Sequence, residues 1–166
     1  MGRVFARASS THLWKVGAPV NAPPMSGALW FNTSDTTNGM VVLSLGNSTT
    51  DNQRHWLIVD GAAAGDPLKF HTFFSPTTGE AITTTGYSAN VWQHAAFVAA
   101  ATNSRACYLN GGSKGTNATS LGPAVNRYTI GAHKGATVAN AYTGIVAWAT
   151  LWNIALTDQE VAALAT

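Results

Sequence analysis

Apolar residues in this chain come in short runs, and a turn signal cuts off each run before it is long enough for a helix. Alternating or continuous apolar stretches predict strands over Arg3–Ala6, His12–Val16, Ala28–Asn32, Met40–Leu45 and His55–Val59. The same pattern predicts strands over Leu68–Phe74, Val91–Ala100, Arg105–Asn110, Tyr128–Gly131 and Ile145–Trp152. The breaks carry Asn38-Gly39, Asp60-Gly61, Gly65-Asp66-Pro67, Pro76-Thr77-Thr78-Gly79, Asn110-Gly111-Gly112 and Leu121-Gly122-Pro123. Asn110-Gly111 is the strongest hairpin signal, because both residues tolerate the positive φ of a type I′ turn. One helix is predicted, at the end. Thr157-Asp158-Gln159-Glu160 has capping-box spacing, and Val161, Leu164 and Ala165 follow as an apolar face. Many short strands and one short C-terminal helix predict an all-β fold: an antiparallel two-sheet jelly-roll sandwich, with residues 1–166 as a single domain.

Such a fold needs a polar surface, and charge does not supply it. Only 10% of residues are charged, against about 25% in an ordinary soluble domain. The 21 threonines, with Ser, Asn and Gly, fill the role, and threonine suits a pleated strand. The net charge is +2 with no basic run, so no nucleic-acid partner is expected. No stretch is long and apolar enough to span a membrane. The single cysteine, Cys107, excludes an intramolecular disulfide and, in a strand, is read as a small packing residue. No apolar leader follows Met1, so synthesis in a cytoplasm is expected, with the particle of a virus as one destination. The sequons at Asn32, Asn47 and Asn117 are then read as chance in a threonine-rich chain.

The order Trp92-Gln93-His94-Ala95-Ala96-Phe97, Tyr108-Leu109-Asn110-Gly111, Thr129-Ile130-Gly131 and Leu151-Trp152-Asn153-Ile154-Ala155-Leu156-Thr157 resembles the second half of a laminin-G-like, concanavalin A-like (pentraxin-like) domain. Leu13, Pro23-Pro24-Met25-Ser26-Gly27-Ala28-Leu29-Trp30-Phe31 and Val42-Leu43-Ser44-Leu45-Gly46 resemble its first half more loosely. The resemblance implies the same jelly roll and a binding role. It also implies a calcium site, which pentraxin-like members build in part from an Asp-Asn pair matched here by Asp51-Asn52. Calcium takes six to eight oxygens. Where the family places further acids, this chain reads Ala132-His133-Lys134-Gly135, so calcium is disfavoured and no cofactor is expected.

Catalysis is also disfavoured. Glycoside hydrolysis needs two carboxyls about 5–10 Å apart. The chain has two glutamates, Glu80 and Glu160, and the second belongs to the capping box. His94, in a predicted central strand, is read as structural. The segment Ile145–Trp152 is unusual. Strict alternation puts Val146, Trp148, Thr150 and Trp152 on one face, with Trp148 and Thr150 where the family carries outward charges. Three readings stand: Val146, Trp148 and Thr150 form a subunit interface, a sugar stacks on Trp148, or the 138–142 loop or terminal helix covers it.

Two functions are therefore expected to compete. One is a non-catalytic bacteriophage virion surface protein, a capsid decoration or fibre-associated domain assembling with copies of itself or other virion proteins. The alternative is an extracellular lectin-like glycan-binding module, calcium-assisted or not, using Asp35, Asn38, Asp51, Asn52 and His133.

Overall fold

The computed structural model describes residues 2–17 and 19–166. Two antiparallel six-stranded sheets face each other. Sheet 1 has the order β1 (Arg3–Phe5), β14 (Gly144–Trp152), β3 (Met25–Asn32), β8 (Gln93–Ala101), β9 (Ser104–Leu109), β10 (Gly112–Asn117). Sheet 2 has the order β2 (Leu13–Val16), β11 (Arg127–Ile130), β4 (Gly39–Gly46), β5 (Gln53–Asp60), β6 (Pro67–Phe74), β7 (Thr77–Gly86). A short hairpin, β12 (His133–Lys134) with β13 (Val138–Ala139), and one helix, α1 (Asp158–Ala163), complete the fold. This is the expected jelly-roll sandwich.

Period-two alternation builds the core. Met25, Leu29 and Phe31 of β3, Leu57 of β5, Phe70 of β6 and Phe97 of β8 all point between the sheets and are almost fully buried. Phe70 and Phe97 stack across the gap, with ring centroids 4.3 Å apart. Cys107 is fully buried in the same core, as a small packing residue should be. At one edge the sheets nearly touch. A Cβ on Gly115 of β10 would lie 1.7 Å from the carbonyl oxygen of Ile82 in β7, so only glycine fits there.

Both central strands are covered on their outer faces too, by different devices. On sheet 1, Ala28, Ala96 and Ala106 form a shallow bed for α1, whose Val161 is fully buried against them and Tyr108. The helix starts as its spacing predicts: Glu160 N donates to Thr157 Oγ1 at 3.2 Å, and Thr157 N donates to Glu160 Oε2 at 2.7 Å. On sheet 2 the β12–β13 hairpin lies over β4. Arg127 Nη1 ties it down by donating to the Gly135 carbonyl at 2.6 Å.

The turn at Asn110-Gly111 has the expected positive φ values, 52° and 72°. Two longer strands and the short β12–β13 hairpin were not expected. Thr77–Gly79, which reads as a turn, opens β7, and Gly112–Asn117 forms edge strand β10. Neither has an apolar alternation, because β7 presents threonines outward and β10 is a polar edge. The hairpin strands β12 and β13 are two residues each and leave no periodicity to detect.

Candidate functional site

The loop residues expected to bind a ligand fall into two groups that do not meet, because the segments containing Asp35 and Asp51 flank opposite ends of β4. Asp35 and Asn38 are half-buried and satisfy each other. Asp35 Oδ1 accepts from Thr37 N at 2.9 Å and Asn38 N at 3.1 Å, and Asp35 Oδ2 accepts from Asn38 Nδ2 at 2.8 Å. Burial pushes the Asp35 carboxyl up, but the bonds from Thr37 and Asn38 outweigh it and hold it below the usual carboxylate range. This is a closed turn that uses up its own polar atoms.

At the other end, Asp51 and His133 come together. Trp56 Nε1 donates to His133 Nδ1 at 2.9 Å, which leaves the proton of the neutral ring on Nε2, 3.0 Å from Asp51 Oδ1. Asp51 Oδ2 accepts from Thr137 Oγ1 at 3.0 Å. Burial, with Arg54 and Arg127 nearby, holds the His133 pKa below the usual histidine value despite the pull of Asp51. Arg54 stacks over Trp56 and Phe73 at 4.1 and 4.2 Å and donates to the Asp51 backbone carbonyl. Both Asp51 oxygens are thus committed beside an arginine, and exposed Asn52 adds one amide. Calcium does not fit this donor set. Among the described residues no group of three His, Cys, Asp or Glu side chains is placed to hold a metal.

The outer face of sheet 1 is different. The strict alternation expected for Ile145–Trp152 breaks, because the register of β14 on β3 jumps from Ala147↔Trp30 to Thr150↔Ala28. Two residues, Trp148 and Ala149, therefore oppose one. The bulge turns Val146 into the core at 4% exposure, so it does not share a face with Trp148. Trp148 and Thr150 remain outward. Trp148 is 74% exposed, so neither the 138–142 loop nor the terminal helix buries it. Its φ is 49°, the left-handed region that glycine fills in such a bulge. A tryptophan there costs about 1–3 kcal/mol of backbone strain, and such strain concentrates at functional sites.

Around Trp148 the helix leaves half of sheet 1 uncovered, and there the alanines give way to tryptophans. Trp30, Trp92, Trp148, Ala147 and Gly2 line a hollow of about 380 Å³. A second hollow of about 230 Å³ adjoins it, sharing Trp30 and Trp148 and adding His94, Thr150 and Trp152. His94 meets Trp30 edge to face, with ring centroids 5.6 Å apart. It is 2% exposed, burial pushes its pKa down to about 4, and its Nδ1 has no hydrogen-bond partner. In the sequence Trp148 stands out, whereas His94 reads as a structural strand residue and Trp30, Trp92 and Trp152 carry no mark of a site. The missing signal was strand register, which sets Trp30 opposite both Ala147 and His94.

A larger hollow of about 610 Å³ lies farther along this face, between β10 and α1. At its rim Lys114 Nζ reaches Asp158 Oδ1 at 2.8 Å, and Tyr108 Oη donates to the same oxygen at 2.7 Å. Among the described residues no Asp, Glu or Cys side chain lines either tryptophan hollow, and the lining offers indole faces with His94 and Thr150 beside them.

A family model described as the concanavalin A-like lectin/glucanases superfamily matches residues 11–162. A comparison with curated proteins finds no match. Among solved structures, the chain is similar to domain 4 of AbnA, an extracellular arabinanase of Geobacillus stearothermophilus, in complex with arabinotriose. The TM-score is 0.78 at 18% identity, over 93% of this chain and 72% of that one. It is similar to the CBM40 domain of the Ruminococcus gnavus IT-sialidase bound to α2,3-sialyllactose, with TM-score 0.70 at 16% identity over 93% and 98%. It is also similar to the heptameric SAP-like pentraxin of Limulus polyphemus, with TM-score 0.71 at 16% identity over 93% and 75%. At these identities the likeness is one of fold.

Proposed function

Because the chain belongs to the concanavalin A-like lectin/glucanases superfamily, we propose that it is a non-catalytic glycan-binding module whose ligand lies on the uncovered half of sheet 1. The observation that carries this reading is Trp148: a large aromatic side chain held in solvent by a strained bulge, beside Trp30 and Trp92 around one hollow. An indole face offers a flat apolar platform, suited to the C–H face of a sugar ring, and a hollow of this size lies within the range of small-ligand sites. The arabinotriose and sialyllactose held by two structural neighbours support a saccharide as the ligand class. The test is isothermal titration of an oligosaccharide panel against the wild type and Trp148→Ala. Binding lost in the variant supports the reading, and binding retained at full strength refutes this site.

A second reading has one observation in its favour. Val4, 67% exposed on neighbouring β1, extends the apolar surface beyond Trp148. That surface also suits a subunit contact in a virion surface protein, and the heptameric pentraxin neighbour shows that the fold is compatible with assembly. Native mass spectrometry separates the two. A Trp148-dependent oligomer that binds no saccharide favours the virion reading, with a virion surface location, while a saccharide-binding monomer favours the glycan reading and an extracellular one.

A further inference from the structure

The β12–β13 hairpin covers sheet 2 with only two paired residues on each strand, so its own backbone does little to hold it there. Side chains fasten it. His133 is fully buried against Trp56, with ring centroids 4.7 Å apart, and is bonded at both nitrogens. Its Nδ1 accepts from Trp56 Nε1, and its Nε2 donates to Asp51 Oδ1. Thr137, on the hairpin turn, donates to the other Asp51 oxygen, and Arg127 of β11 donates to the Gly135 carbonyl. Closure also strands two hydroxyls. Ser44 Oγ and Thr129 Oγ1, cross-strand neighbours on β4 and β11, are shut off from water without a protein partner, an unfavourable state that opening relieves.

The fastening works in only one protonation state. An indole N–H can only donate, so His133 Nδ1 must be bare. That nitrogen is also where the neutral ring takes up a proton, and an imidazolium would set its own N–H against that of Trp56 across 2.9 Å. Every charged group facing the ring bears on this step. Asp51, in the β4–β5 loop, favours the proton, whereas Arg54 of β5 and Arg127 of β11 oppose it. Lys134 follows in the hairpin itself, and His71 of β6 stacks on Trp56 at 5.3 Å while bonded to Glu80 of β7. Burial raises the Asp51 pKa, but bonds from His133 and Thr137 outweigh it, so Asp51 stays ionised at mildly acid pH. Burial, with the two arginines, holds His133 of the closed hairpin below the usual histidine value, and a freed ring titrates near about 6.5. The open form therefore binds the proton more tightly, and a fall in pH below about 6.5 favours it.

We propose that His133 is a pH-sensitive latch: protonation at Nδ1 breaks its bond to Trp56 and releases the β12–β13 hairpin from sheet 2, uncovering Trp56, Arg127, Ser44 and Thr129. The latch lies on the sheet opposite the tryptophan hollows and does not depend on their ligand. The test is hydrogen exchange at the Trp56 indole N–H of the whole chain, followed by NMR between about pH 7.5 and 5. Corrected for intrinsic exchange, its protection is expected to fall at least tenfold, in step with protonation of His133 Nδ1, while the amides of central strand β8 stay protected. Protection that persists while Nδ1 protonates, an Nδ1 already protonated at the upper pH, or a loss that comes only together with β8 overturns the proposal. His133→Asn keeps an acceptor for Trp56 but does not titrate, and Trp56 protection in this variant should change less than about threefold over the same range. A tenfold loss that persists there assigns the response to another group, His71 above all, and overturns the latch. Should the variant not fold, the wild-type titration of the His133 ring nitrogens against Trp56 protection decides the same point, and two midpoints that do not coincide overturn it.

Discussion

Replacing Trp148 with glycine distinguishes a side chain that supports the fold from one that the fold holds out. Its φ of 49° is natural for glycine, so the variant recovers about 1–3 kcal/mol of strain. Against this, the indole is 74% exposed, so roughly a quarter of an aromatic surface of about 250 Å² is covered, on the order of 60 Å². At about 25 cal/mol per Å², that contact stabilises by about 1.5 kcal/mol. The added freedom of an unfolded glycine removes a further ~0.5–1 kcal/mol. The contributions oppose one another, and the expected change in unfolding free energy is within about 1.5 kcal/mol of zero. A tryptophan anchoring a core would instead cost about 3–5 kcal/mol. Urea unfolding followed by far-UV circular dichroism measures the difference, with a midpoint shift of less than about 1 M for an m-value near 2 kcal/mol/M. Saccharide affinity should fall at least tenfold in the same variant. A stability loss above about 3 kcal/mol would make Trp148 structural and refute the reasoning.

Acid should destabilise the fold well above the usual carboxylate range. Burial lowers the His55 pKa to about 3, helped by Arg105 and His71, and burial lowers that of His94 to about 4. The unfolded chain therefore takes up protons first. Their contribution is complete above about pH 6.5, is lost progressively as pH falls below that, by about 2.5 kcal/mol from each at pH 4.5, and the loss levels off below about 4 and 3. A flat profile of urea midpoints between pH 7 and 4.5 contradicts this. Gly115→Ala should cost about 3 kcal/mol, since its Cβ meets the Ile82 carbonyl; a variant that melts like the wild type would mean β10 and β7 do not approach so closely. Millimolar calcium or a chelator should leave the melting temperature unchanged, because the oxygens of Asp51 are engaged by His133 and Thr137. A calcium-dependent rise would show that those bonds yield to the ion.

The sequence revealed those parts of the molecule whose signals are local. The capping box at Thr157 and the hairpin at Asn110-Gly111 each depend on a few adjacent residues, and both are present. Strands rich in apolar residues announced themselves, whereas β7 did not, because its buried positions are Gly79, Ala81 and Thr83, and β10 did not, because it is a polar edge. The site was harder to read for the same reason. Trp30, the Trp92–His94 segment and Trp148 are far apart in the chain, and only the register of β14, β3 and β8 assembles them. The bulge that expels Trp148 and buries Val146 is invisible to a period-two reading, since tryptophan gives no hint of a positive φ. Four of the loop candidates show a different limit of a local reading. Asp35 with Asn38, and Asp51 with His133, look like ligand donors in sequence, but each pair satisfies its own hydrogen bonds.

The central claim is that ligand meets the chain on the uncovered half of sheet 1, and the six tryptophans offer a direct test. Their indole N–H resonances, assigned by single substitutions, can be followed by ¹H–¹⁵N correlation spectra during titration with oligosaccharides. The account predicts that Trp30, Trp92 and Trp148 shift together and saturably, while Trp14 and Trp56 on sheet 2 stay still. Shifts confined to Trp14 or Trp56 would place the ligand on the opposite sheet and contradict it.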